Sequence, residues 1–412
     1  MVEGRKVDPS FEGDMHCTTA LVATGRRVLN GCRAVAVSLL CALMMLAATG
    51  CIRRGEGAES MPSSALGQAR ATATEGEIGA VGVTGPVPAA CGVSYAHDWF
   101  EGGRQGYGTE RSAQSLRELA ELGVTAISLT NFGYMESLTS TEVFDMERRG
   151  GSERREAMRT DMERAHALNM VVMVKPHIWV SGGAWHGQLN PADWDAFYDS
   201  YGTFMLDNAR LAQEGRAEYF VVGTELVSAV RARPDRMRAL IAQVREVYDG
   251  QVVYAANWDE AESVQIWDAV DVIGVQMYAP LAAAPEASQA QMVEQARSWL
   301  QRYEALAVHH GKPLFLTEVG FVNRVGGAVD PHVWPEHVQA AADLAGDEEQ
   351  ARAVSAIIEV FGASPHVGRM FWWKWYTNPA TRDEGVVGFA LRGKPALGHL
   401  QTACTLSNAH GL

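Results

Sequence analysis

From about Cys91 onward, apolar residues follow two alternating rhythms. Short runs rich in Val, Ile and Phe give way to longer stretches where leucine and alanine recur every three or four positions. The first rhythm predicts buried strands and the second amphipathic helices. The strand candidates are Gly92–Tyr95, Val124–Leu129, Val171–Lys175, Tyr219–Val222, Val252–Ala255, Val272–Met277, Leu314–Thr317 and Arg369–Trp373. Helical stretches fall between them: Ala113–Leu122 (Leu116, Leu119 and Leu122 on one stripe), Arg154–Leu168, Trp194–Gln213 and Arg236–Val247. Gly123 and Asn169 each stand between a helix and a strand, where a C-terminal cap is expected. Repeated strand–helix units imply a parallel sheet. Eight of them in roughly 310 residues is the count of an α/β fold of the (β/α)8 TIM-barrel type, one domain over 89–408. The rival, a doubly wound open sheet, usually carries a glycine-rich phosphate loop after its first strand. Gly92-Val-Ser-Tyr95 followed by His97 contains no such motif.

The text before Cys91 is different. Arg26, Arg27 and Arg33 precede a charge-free run, Ala34–Ala48, which is short for a membrane span and suited to a signal-peptide core. It ends Ala47-Ala48-Thr49-Gly50-Cys51, small residues before a cysteine, as in the lipobox of bacterial lipoproteins, although Ala48 stands where that pattern prefers Leu. Residues 1–50 therefore read as a lipoprotein-type signal peptide and Cys51 as the acylated residue. The alternative is an uncleaved N-terminal anchor, and Met15 is a second candidate start. Residues 51–88, rich in Gly, Ala, Ser, Thr and Glu without apolar periodicity, read as a flexible tether. The expected location is the bacterial cell envelope, with the chain a monomer that meets the membrane only through its lipid.

Export bears on the cysteines. Beyond Cys51 only Cys91 and Cys404 remain, one opening the first strand and one in the last helix. A closed barrel makes those elements neighbours, so a disulfide is feasible in an oxidising compartment; two unpaired buried thiols are the other reading. The formal net charge of −14 argues against a nucleic-acid partner, whose phosphate backbone needs a basic face.

Two strands end on carboxylates: Glu225 in Tyr219-Phe-Val-Val-Gly-Thr-Glu225 and Glu318 in Pro313-Leu-Phe-Leu-Thr-Glu318. The C-terminal strand ends of a barrel converge on one mouth. Two carboxyls facing each other there suit cleavage of a glycosidic bond, with one as nucleophile and the other as acid and then base. Glu318 suits the nucleophile, with Tyr278 placed to donate a hydrogen bond to it. Glu225 suits the acid/base, its pKa raised by an apolar setting and by the neighbouring charge. Other strand ends supply sugar-binding candidates: Lys175 and His177, Thr224, Asn257 and Trp258, Trp373, and Tyr95 with His97. Trp179 and Trp185 lie in the loop after the third strand. Of Trp372 and Trp373, strand alternation sends one inward and one outward. The structural alternative is that each glutamate pairs with an arginine or caps a helix.

The series Gly92-Val-Ser-Tyr, Lys175-Pro-His, Gly223-Thr-Glu-Leu, Tyr254-Ala-Ala-Asn-Trp, Asp271-Val-Ile-Gly, Thr317-Glu-Val-Gly and Phe371-Trp-Trp-Lys-Trp resembles glycoside hydrolase family 113. The match runs from about Cys91 to the Gly393-Lys-Pro-Ala segment. The resemblance implies a retaining (β/α)8 glycosidase with Glu225 as acid/base, Glu318 as nucleophile and no cofactor or metal. It also implies β-1,4-mannan or a related β-glycan as substrate. Two positions depart from the wider clan: Thr224 replaces the Asn that usually precedes the acid/base, and the second strand lacks the arginine often found at its end. Two rivals differ in class. A metal-dependent barrel hydrolase commonly begins with His-x-His on its first strand, where this chain has Tyr95-Ala-His97. A lipid-tethered sugar-binding protein on an inactive barrel is disfavoured by retention of both glutamates.

Overall fold

The computed structural model describes residues 91–97, 106–145, 153–334, 344–381 and 387–409, all within the unit Gly79–Leu412. The expected signal peptide, Cys51 and the tether lie outside the described residues. Eight strands close a barrel in chain order, β1 pairing with both β2 and β8. They are β1 (Gly92–Ala96), β2 (Ala126–Met135), β3 (Val171–Val180), β4 (Tyr219–Thr224), β5 (Gln251–Asn257), β6 (Val272–Met277), β7 (Leu314–Val319) and β8 (Val367–Tyr376), all parallel. The helices outside are α1 (Glu110–Glu121), α2 (Arg155–Ala167), α3 (Trp194–Glu214), α4 (Val227–Ala232), α5 (Pro234–Arg245), α6 (Gln289–His310), α7 (Leu344–Phe361) and α8 (Ala396–Ala409). This is the (β/α)8 TIM barrel that the sequence predicts, with one irregularity. Between β5 and β6 there is no α-helix, only the 3-10 turn Ala261–Ser263.

Strand alternation divides the core into two. Inside the barrel Ala126, Met173, Val221, Val253, Ala255, Val272, Phe315 and Phe371 form one cluster. The larger one lies between the barrel wall and the helices, where Ile127, Phe220, Tyr254, Ile273, Leu316 and Trp372 meet helix residues such as Leu116, Met158 and Phe197. Burial of each such side chain contributes about 1.5–3 kcal/mol before conformational entropy is counted. Local chemistry agrees with this layout. Thr109 caps α1, Asp193 caps α3, and Ser288 with Gln291 makes a capping box on α6. Gly123 and Asn169 do end their helices, with φ of 82° and 59°.

β2 and β3 run longer than their apolar runs suggest, pairing without a break from Ala126↔Val171 to Met135↔Val180. Polar Thr130, Asn131, Lys175 and His177 interrupt the hydrophobic pattern, yet the backbone ladder continues past them. A disulfide joins Cys91, ahead of β1, to Cys404 in α8, tying the two ends of the barrel together.

Candidate active site

The carboxyl ends of the strands gather the chemistry, and backbone irregularities aim it. Along β7, Phe315 points into the barrel. Plain alternation would send Thr317 inward and Glu318 outward. Instead the register with β6 slips between Val275↔Leu316 and Gln276↔Glu318, a bulge of the kind that redirects a side chain. Glu318 is thereby turned to a pocket of polar partners and retains only 5% side-chain exposure. β4 slips likewise between Val221 and Gly223, where a Cβ on Gly223 would lie 3.0 Å from the Tyr254 ring. Glu225 follows with φ of +50°, a left-handed conformation costing a non-glycine residue on the order of 1 kcal/mol or more. Its amide is held by Ala255 O at 2.8 Å.

Glu318 sits among cationic and hydroxyl partners. Lys175, fully buried on β3, forms an ion pair with its Oε1. The Tyr278 hydroxyl donates to Oε2 at 2.6 Å. His177 Nε2 stands 3.4 Å from Oε1. Burial pulls the Lys175 pKa down, and the Glu318 charge with its hydrogen bond resists that pull. Burial and then the charge of Glu318 hold the Tyr278 phenol well above its usual value, so it remains a donor. These contacts fix both carboxyl oxygens of Glu318 in place, Oε1 against Lys175 and His177 and Oε2 against Tyr278.

Glu225 has the opposite setting. Burial pushes its carboxyl up to about 7, and the negative charge of Glu318 adds to the push. The Trp185 indole N–H and the Lys175 ammonium pull the other way. The indole nitrogen donates to Glu225 Oε2 at 3.0 Å, and His186 Nε2 lies 3.9 Å from the same oxygen while bonding Thr224 O at 3.1 Å. Burial lowers His186 to about 4 and His177 well below its usual value, so both imidazoles are neutral near pH 7. A buried carboxyl raised to about 7, near a second carboxyl engaged by an ammonium and a phenol, gives the two glutamates unequal environments.

Around this pair the candidates divide. Trp373 joins Tyr278, Val322, Val387 and Phe389 in a cluster at the mouth, with Trp258 at its edge, while Trp372 faces the outer core. Trp373 lies 6.0 Å from the His177 ring and 5.7 Å from the Lys175 ammonium. Among the described residues, His177 Nε2 and Trp373 Nε1 are buried nitrogens that no protein atom hydrogen-bonds. The Thr224 hydroxyl donates to Pro176 O at 3.3 Å, and the Asn257 amide to Asp259 Oδ1 at 2.8 Å, so both already serve the scaffold.

Tyr95 is a correction. It does not line the mouth: alternation turns it outward against α1, where its hydroxyl donates to Ser112 O at 2.9 Å. His97 is engaged by Glu153 at 2.6 Å. Sequence reasoning missed Trp185 as the partner of Glu225, and it missed Trp334, which stands edge-on to Trp373 at 6.2 Å. Among the described residues no three His, Cys, Asp or Glu side chains group as a metal ion would need.

The model of glycoside hydrolase family 113 matches residues 95–394. The GH113 β-mannanase AaManA from Alicyclobacillus acidocaldarius, solved in complex with ManMIm, is 27% identical with a TM-score of 0.66, over 77% of this chain and 97% of that one. A GH113 β-1,4-mannanase solved as a complex is 28% identical with a TM-score of 0.65, over 76% and 98%. A β-glucuronidase from Faecalibacterium prausnitzii, 11% identical with a TM-score of 0.51 over 77% of this chain and 48% of that one, shares the fold alone. No curated protein matches the chain significantly.

Proposed function

The chain belongs to glycoside hydrolase family 113, and from that premise we propose that it hydrolyses β-1,4-mannan or a closely related β-linked hemicellulose with retention of configuration. The observation that supports the mechanism is the unequal environment of two glutamates at the carboxyl ends of β4 and β7: Glu318 against Lys175 and Tyr278, Glu225 raised to about 7 in part by the Glu318 charge. Glu318 attacks the anomeric carbon as the glycosidic bond breaks, while Glu225 gives its proton to the departing oxygen. The glycosyl–Glu318 ester then yields to a water molecule whose proton returns to Glu225. Sugar hydroxyls would satisfy the buried nitrogens of His177 and Trp373, with the Trp373 ring beneath the reacting sugar. The two family members at 27% and 28% identity, both described as β-mannanases, support the choice of mannan.

The mechanism predicts different losses for the two glutamates. Glu318→Ala abolishes turnover of every substrate. Glu225→Ala cripples hydrolysis of natural linkages but largely spares substrates whose leaving group needs no proton. Undiminished turnover in the first variant, or equal loss on both substrate types in the second, would refute the assignment.

The Ala34–Cys51 segment and the Cys91–Cys404 disulfide support an exported, lipid-anchored enzyme. Cys51→Ala releases such a protein from membranes, whereas continued membrane association of that variant would indicate an uncleaved anchor instead.

A further inference from the structure

We propose that Trp185 is the platform for the sugar on the leaving-group side of the scissile bond, and that it orients Glu225 through its indole nitrogen. The inference rests on the reading of Glu225 as proton donor. Three observations carry it. The indole N–H is 3.0 Å from Glu225 Oε2, so the ring is anchored to the acid. Trp185 is nonetheless 40% exposed, a large aromatic surface beside a carboxyl whose side chain is only 14% exposed. The third observation tells which surface is open. A Cβ placed on Gly187 would lie 2.4, 2.5 and 2.7 Å from three adjacent atoms of the benzo ring. Near-equal distances to adjacent ring atoms mean approach from above the plane, because an edge-on approach would leave the outer two far behind the nearest. Gly187 therefore backs one face of the indole, and the exposure belongs to the remainder of the ring.

Sidedness follows from the chemistry. A general acid protonates the glycosidic oxygen, so its carboxyl lies against the bond that joins the reacting sugar to the leaving one. An aromatic surface tied to that carboxyl borders the leaving sugar. A second tryptophan, Trp373, lies 5.7 Å from the ammonium that binds Glu318 and belongs to the nucleophile's side. Trp185 thus flanks Glu225 and Trp373 the Glu318 side, and the scissile bond runs between them. A pyranose face of axial C–H groups is the chemical match for the open indole surface. Gly187 is required to be small because the ring rests on it.

The experiment compares two substrates that share the reacting sugar: a β-1,4-linked manno-oligosaccharide, which offers a leaving sugar, and the corresponding glycosyl fluoride, which offers none. In Trp185→Ala the ratio of kcat/KM on the oligosaccharide to that on the fluoride falls on the order of tenfold. Gly187→Ala, which keeps the indole but pushes it from its seat, gives the same sign. Trp185→Phe retains an aromatic face and loses the N–H, so the ratio falls less. The alkaline limb of its pH profile moves to higher pH, because a donor that stabilised the carboxylate is gone. Equal losses on the two substrates in Trp185→Ala, or no movement of the limb in Trp185→Phe, would overturn the proposal. Failure of the underlying reading is distinguishable: a wild-type enzyme that cleaves neither substrate, or a Glu225→Ala variant equally impaired on both, removes the acid itself.

Discussion

The pH dependence of kcat/KM tests the electrostatic design directly. Glu225 must carry a proton to act as acid, and burial with the Glu318 charge lifts its pKa from 4.5 to about 7. The free enzyme's ionisation governs kcat/KM. At pH 8 about one tenth of Glu225 is still protonated, so kcat/KM on an unactivated β-1,4-linked oligosaccharide should stand about tenfold below its plateau. With an ordinary pKa near 4.5, the same limb would begin more than two units lower and the enzyme would be nearly idle at neutrality. The assay measures initial rates from pH 4 to 9 on the oligosaccharide and on a 2,4-dinitrophenyl glycoside of the same sugar, whose leaving group departs without a proton. The alkaline limb should be present on the first and strongly flattened on the second. The same limb on both, or a limb that persists in Glu225→Gln, would refute the reasoning, because it would then belong to another group.

Three further outcomes follow from the structure. Lys175→Met leaves the buried Glu318 charge without its cation and should cost roughly 3–5 kcal/mol of stability. Adding Glu318→Gln should recover part of that, so strictly additive losses in the double-mutant cycle would disprove the coupling. Glu260, buried against the Tyr254 hydroxyl at 3.1 Å, is pushed up to about 7 chiefly by burial. Both raised carboxyls favour the folded state fully below about 4.5, and that contribution, at most about 3 kcal/mol each, is lost as pH rises through 7. Glu260→Gln should flatten the fall of Tm between pH 5 and 8 without moving the kinetic limb of Glu225; an unchanged fall would refute it. Finally, Cys404→Ser opens a disulfide spanning 313 positions and should cost about 2–5 kcal/mol; a Tm equal to that of the oxidised wild type would show that the bond contributes nothing.

The barrel was legible because each strand carries its own apolar run and the helical stretches between several of them show their own periodicity, both local properties. Glu225, Glu318 and Tyr278 were legible for a related reason: a polar residue that ends a buried run must face something polar. The failures differ in kind. In Gly92-Val-Ser-Tyr-Ala, Ser94 stands opposite Val93 and Tyr95, so alternation puts Tyr95 with Val93 on the outer apolar face, and its place at the strand end was the misleading signal. Trp185 and Glu225 lie 40 positions apart on different elements, and the loop that brings them together turns through left-handed Gly182 and Gly183. No periodicity encodes that path. The β7 bulge is equally silent in the sequence, although it decides where Glu318 points.

Closure of the barrel is what makes the two carboxyls unequal. Lys175 leaves β3, Tyr278 follows β6 and Glu318 sits on β7, so the charged pocket is assembled from strands 143 and 40 positions apart in sequence. The Lys175 cation lies in contact with Glu318 and lowers the pKa of Glu225 only as a lesser influence, after burial, the Glu318 charge and the indole bond. One ammonium placed against Glu318 therefore gives the two glutamates different electrostatic surroundings. Lys175 sits midway along β3, where the ladder to β2 continues past it to Met135↔Val180, so the backbone that carries the cation is held both before and beyond it.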